Sequence, residues 1–161
     1  MSEKKTAKNE IKGKASIDKI KAIVQPRIHS SKKIKLEDAV PLRTPFSVHI
    51  DVCSYCNFKC SFCFQADVLG KKKKFFPHGM MKMDLFQKTV NDLKEFPDKI
   101  KKIKIGNHGE PTMHPELPKF IEYARNSGVA DIIEVFTNGS KLNPKLNKEL
   151  VDSGLQRINI S

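Results

Sequence analysis

From residue 46 onward the apolar residues alternate between two periods. Phe46, Val48 and Ile50 interleave with polar neighbours, the two-residue period of a strand over 46–51. Leu85, Phe86, Val90, Leu93 and Phe96 then form a helical face that stops at Pro97. Residues 100–106 predict a second strand, with Ile103 and Ile105 spaced by lysine. Pro115 is placed to open a helix at its first position, with Leu117, Phe120, Ile121 and Ala124 facing inward and Gly128 closing it. Residues 132–136 read as a third strand. Asn143 caps the next helix, Pro144 takes its first position and Gly154 ends it. A fourth strand covers 157–161.

Strands two to four recur about every 28 residues with a helix between them. That rhythm predicts right-handed βαβ units, a parallel sheet and an α/β fold. An open doubly wound sheet and an arc of a β/α barrel both satisfy it, and both collect ligand chemistry at the C-terminal ends of their strands. The unusual residues fall there. A cysteine-rich loop follows strand one, Gly106–Pro111 follows strand two, Thr137-Asn138-Gly139 follows strand three, and Ser161 ends strand four.

Residues 1–44 read as a basic arm and linker, and 45–161 as the domain proper. The formal net charge is +12, and residues 1–35 hold eleven Lys/Arg against three Asp/Glu. Ile17, Ile20 and Val24 fit a short amphipathic helix there, and a frayed tail fits equally. No aromatic residues interleave with the lysines as a single-strand nucleic-acid binder would want, so a solvated arm is the simpler reading. Residues 65–82 lack periodicity, as functional or disordered loops do. No apolar run approaches a membrane span, and the N-terminus lacks the apolar centre of a signal peptide. All four cysteines cluster between Cys53 and Cys63, which suits metal binding in a reducing compartment rather than a disulfide scaffold. The expectation is a cytoplasmic protein. No pair among the five histidines suggests a metal site, and loop histidines are expected to face solvent.

The cysteine loop runs Cys56-x3-Cys60-x2-Cys63. Three thiolates can hold three corners of a four-iron cluster and leave one iron open to a small molecule. A cluster that only carries electrons is normally closed by a fourth thiolate. Two alternatives use Cys53: a zinc site built from Cys53-x2-Cys56 and Cys60-x2-Cys63, and an electron carrier with Cys53 as fourth ligand. Zinc ribbons usually separate their ligand pairs by a dozen or more residues. A bacterial ferredoxin run places its three-residue gap last and ends in Cys-Pro. Neither matches, and Cys53 reads as an ordinary small residue.

The spacing, with Asn57 after the first cysteine and Phe62 before the last, resembles the signature of the radical S-adenosylmethionine (SAM) superfamily. His108-Gly109-Glu110-Pro111 resembles that family's Gly-Gly-Glu motif, with His108 in place of the first glycine, and Thr137-Asn138-Gly139 is frequent at the end of its third strand. The resemblance covers roughly residues 46–161. It implies a partial TIM-like (β/α)6 barrel of which only about four strands are present. The chain would then be a truncated product, a fragment or half of an assembly. It implies that Cys56, Cys60 and Cys63 hold a [4Fe-4S] cluster, and that SAM chelates the open iron. Gly109 and Glu110 would hold its methionyl amine, Phe62 would pack near the adenine, Asn138 would line the cavity and Ser161 would touch the ribose. The implied activity is reductive cleavage of SAM to a 5′-deoxyadenosyl radical that abstracts hydrogen from a substrate. A flavodoxin or ferredoxin would supply the electron. The motifs resemble the branch with C-terminal SPASM-type auxiliary-cluster domains, whose substrates are peptides, proteins, sugars or alcohols. A zinc or nucleic-acid binding module and an iron–sulfur electron carrier are the rival functions.

Overall fold

The computed structural model describes residues 35–63 and 78–161. The helix considered for residues 17–24 and most of the unpatterned 65–82 stretch lie outside those residues. Residues 36–161 make one compact unit. It opens with a single helical turn, α1 (Leu36–Ala39), that hydrophobic periodicity had not suggested. Four strands follow: β1 (Ser47–Ile50), β2 (Ile100–Ile105), β3 (Ala130–Thr137) and β4 (Arg157–Ile160). They pair in parallel in the order β1-β2-β3-β4. Three helices connect them: α2 (Met83–Asp92), α3 (Leu117–Ser127) and α4 (Pro144–Asp152). Right-handed crossovers that always step to the same side put every connecting helix on one face of the sheet.

The core lies between that face and the helices. Ile103 and Ile105 of β2 and Ile133 and Val135 of β3 are fully buried with Phe86 and Val90 of α2 and Leu117, Phe120, Ile121 and Ala124 of α3. Phe86 stacks on Phe120 with ring centroids 4.6 Å apart. Phe86 and Val90 are one helical turn apart and share a stripe. Leu85, one position off that stripe, is exposed, which corrects its assignment to the inward face. Phe96 is also exposed, because the helix tightens into a 3-10 turn at Leu93–Glu95 before reaching it.

Local sequence fixes the helix ends. Asn143 accepts a hydrogen bond from the amide of Leu146 at 3.0 Å, with Pro144 behind it. Gly128 closes α3 in the left-handed conformation, φ 66°. Pro115, however, does not open α3. The chain makes a 3-10 turn at Pro111–Met113, and the helix begins at Leu117 with Pro118 in its first turn. A missing N–H costs nothing there.

Alternation sends the other set of strand side chains to the opposite face. Register aligns His49, Lys104, Glu134 and Arg157 in one row across all four strands. Glu134 is buried between its neighbours, 3.9 Å from Lys104 Nζ and 3.4 Å from an Arg157 guanidinium nitrogen. Lys104 Nζ also sits 5.5 Å from the centroid of Phe136. The face opposite the described helices therefore mixes these charged groups with Ile132 and Phe136, unlike the apolar face under the helices.

Phe86→Ala should lower the unfolding free energy by about 3–5 kcal/mol, read by urea denaturation. A loss below about 1 kcal/mol would mean that α2 is not packed on the sheet.

Candidate metal centre

The cysteine loop leaves the C-terminal end of β1 and is anchored at its base. Met81 N–H donates to Val52 O at 2.8 Å and Ser54 N–H to Gly79 O at 3.0 Å, so residues 79–81 run antiparallel to 52–54. Ser54 Oγ accepts from Gly79 N–H at 2.7 Å, and Tyr55 stacks on His78. Cys53 lies beneath this base, 1% exposed and packed in the core. Burial pushes its thiol above the usual value, partly offset by a backbone hydrogen bond of Tyr55; the Sγ donates to the Tyr55 carbonyl at 3.7 Å. A thiol that resists ionisation is a poor metal ligand. Cys56 is exposed at the tip, Cys60 and Cys63 are half-buried, and all are free thiols. Among the described residues no three Cys, His, Asp or Glu groups converge on a single metal ion.

The loop after β2 is drawn onto the cysteine loop. Glu110 N–H donates to Tyr55 O at 2.7 Å. Gly109 adopts φ 79°, and a Cβ on it would lie 2.2 Å from Cys53 O. Only glycine satisfies both constraints. Non-glycine residues of this turn keep negative φ, so His108 is accommodated where the resembling motif carries glycine. Asp51, at the end of β1, organises the same turn. Its Oδ1 accepts from the amides of Asn107 at 2.7 Å and His108 at 3.0 Å, and its Oδ2 lies 2.7 Å from His108 Nδ1. No local motif marks Asp51, although a carboxylate ending a strand at the ligand rim is a signal for it.

Glu110 joins the second loop to the third. It is 1% exposed. Oε1 accepts from Thr137 Oγ1 at 2.5 Å, from Thr112 N at 3.0 Å and from the Thr112 hydroxyl. Oε2 accepts from Asn138 N at 2.7 Å. The carboxylate expected to meet an ammonium group is thus already enclosed by four donors of its own chain. Asn138 in turn reaches the cysteine loop, with Nδ2 3.0 Å from Asn57 Oδ1 and 3.8 Å from Cys56 Sγ. Cys56, Gly109, Glu110 and Asn138 therefore share one connected network.

The other expected residues sit on the same rim with fewer contacts. Phe62 is 90% exposed. Ser161 is exposed and its amide donates to Thr137 O at 3.1 Å. Two residues before it, Asn159 has a buried Nδ2 with no hydrogen-bond partner among the described residues. His114 departs from the expectation for loop histidines. It is buried, accepts from Glu116 N at Nδ1 and places Nε2 3.0 Å from Met81 O.

Three thiols on one loop suit an iron–sulfur cluster, and the buried Asn159 amide without a partner among the described residues suits a polar small molecule. A single closed metal ion would leave that amide without a use. No helix among the described residues is long and apolar enough to cross a membrane.

Comparison with known proteins gives concordant results. The family model described as the radical SAM superfamily matches residues 50–161. A tungsten-containing aldehyde ferredoxin oxidoreductase cofactor-modifying protein of Pyrococcus furiosus is 32% identical over 114 residues, which are 71% of this chain and 30% of that protein. A probable GTP 3′,8-cyclase of Methanococcus maripaludis is 36% identical over 116 residues, 71% of this chain and 35% of that one. The solved structure of BtrN in complex with AdoMet and 2-DOIA superposes with a TM-score of 0.61 at 23% identity, over 72% of this chain and 45% of that chain. The chain spans about a third of the length of the curated relatives it matches.

Two outcomes follow from the geometry. Gly109→Ala should destabilise the fold by more than about 1 kcal/mol in chemical denaturation; an unchanged midpoint would mean that the turn does not press on Cys53. In the cluster-free protein at neutral pH, timed alkylation mapped by mass spectrometry should modify Cys56 first and Cys53 last. Early labelling of Cys53 would place it outside the core.

Proposed function

The chain belongs to the radical SAM superfamily, and from that premise we propose that it is the cofactor-binding part of an enzyme that cleaves SAM reductively to start radical chemistry on a substrate. When bound, a [4Fe-4S] cluster supplies the electron that breaks the sulfonium C–S bond, giving methionine and a 5′-deoxyadenosyl radical able to abstract hydrogen.

The roles of the chain's own residues are these. Cys56, Cys60 and Cys63 supply three thiolates. Cys53, buried with a raised thiol pKa, stays out of the ligand set, which supports three ligands over four. The backbone around Gly109 meets the methionyl amine. Glu110 contributes by holding that backbone against the third loop. Asn138 lines the cavity, Asn159 and Ser161 offer polar groups toward the ribose, and Phe62 closes over the adenine. With SAM bound, the protein's task is to position it and keep water and stray hydrogen donors away, while the difficult chemistry belongs to the cofactor. The observation that carries this reading is the hydrogen-bonded network that brings the ends of β1, β2 and β3 together around Cys56.

The substrate is a peptide, protein, sugar or alcohol, and the motifs favour the branch with SPASM-type domains. The formal net charge of +12 suits a small acidic electron carrier such as a flavodoxin or ferredoxin.

Anaerobic reconstitution tests the reading. The expected result is a brown protein with iron and sulfide equivalent to one [4Fe-4S] cluster per chain and an electron-resonance spectrum that changes when SAM is added. Cys56→Ser, Cys60→Ser and Cys63→Ser should each lose the cluster, and Cys53→Ala should keep it. Bound zinc without sulfide, a requirement for all four cysteines or a spectrum indifferent to SAM would each overturn it.

A further inference from the structure

The side chain of Asn138 sits in a closed ring of hydrogen bonds that fixes which way its amide faces. Its Oδ1 accepts from the Ser140 backbone N–H at 2.9 Å. Its Nδ2 must therefore point the other way, where it finds Asn57 Oδ1 at 3.0 Å and Cys56 Sγ at 3.8 Å. Asn57 Oδ1 thus accepts from Asn138 Nδ2, which leaves Asn57 Nδ2 to donate to Ser140 Oγ at 2.8 Å. The ring admits one orientation for both amides. The backbone of Asn138 is equally fixed, because its N–H donates to the buried Glu110 carboxylate at 2.7 Å.

Cys56 Sγ thus receives a side-chain amide from a strand end more than eighty residues away as well as the backbone N–H of Phe58 at 3.4 Å. N–H groups directed at a cluster thiolate draw electron density from the sulfur and stabilise the more negative, reduced state, which raises the reduction potential. Asn138 forms part of the proposed cavity wall. Its geometry gives it a second task.

We infer that Asn138 is a positioning residue that donates an N–H···S hydrogen bond to the Cys56 thiolate and thereby raises the reduction potential of the cluster that Cys56 helps to hold. The inference rests on the radical SAM reading and adds to it a residue from the third strand end that tunes the metal centre. The ring also explains the pairing of Asn57 with Asn138. Asn57 occupies one N–H of Asn138 and so leaves the other for sulfur.

The test is an electron-resonance redox titration of the reconstituted chain and its variants, with iron and sulfide measured on each. Asn138→Asp keeps the oxygen that caps Ser140 N–H but replaces the donor with an anionic oxygen. Its midpoint potential should fall below that of the unaltered protein. Asn138→Ala removes donor and cap together and should also fall, by less, because no negative charge is added. Ser140→Ala breaks only the Asn57 to Ser140 contact and should leave the potential where it was. Equal potentials in all four proteins, with full clusters, would overturn the inference and leave the cluster assignment standing. A fall in Ser140→Ala as large as that in Asn138→Asp would also overturn it, because loop rigidity rather than donation would then set the potential. Failure of the unaltered chain to take up a cluster would instead overturn the proposed function.

Discussion

The carboxylate of Glu110 is the interaction on which the site depends. A buried carboxylate is stable only when its oxygens are met by donors. Here they are met by two threonine hydroxyls and two backbone amides, taken from the 3-10 turn after β2 and from the end of β3. The backbone amide of the same residue reaches the cysteine loop at Tyr55. One residue thus ties three loops that are separated in sequence, and each loop contributes a proposed ligand or wall of the cofactor site. Hydrogen bonds to a charged acceptor are stronger than neutral ones, and more so in a low-dielectric interior. Removal of the carboxylate would strand Thr137 Oγ1 and Asn138 N–H beneath the rim.

The fold explains why this tie is available. Parallel strands added in sequence order bring all four C-terminal ends to one edge, while the helices take one face. The residues that follow each strand are therefore neighbours at the rim, however far apart in the chain. The helix-free face carries the charged row of Lys104, Glu134 and Arg157. An apolar surface there would be an ordinary second core.

The architecture was legible from periodicity because β/α units write strands and helices with different spacings. All four strands and α2 to α4 stand where alternation and helical spacing put them, and the caps at Asn143 and Gly128 follow from local chemistry alone. The errors have physical causes. Helical spacing cannot tell which side of a broad apolar stripe faces inward, so it groups the exposed Leu85 with the buried Phe86 and Val90. A proline marks a turn without saying whether a helix or a 3-10 turn follows, so Pro115 mimics a helix start although the helix begins at Leu117. The cysteine spacing and the two Gly-rich motifs were readable because they are local. The partners of Glu110, the Asp51 to His108 pairing, the orphaned Asn159 and the amide ring at Asn138 join residues from different strand ends. No local pattern encodes them.

The most direct measurement is a double-mutant cycle between Glu110 and Thr137, using Glu110→Ala and Thr137→Val and their combination in chemical denaturation. If the buried carboxylate holds the second and third loops together, the coupling energy should be about 1–3 kcal/mol. Effects that add to within about 0.5 kcal/mol would show two independent residues, and the account of the rim as one hydrogen-bonded unit would be wrong.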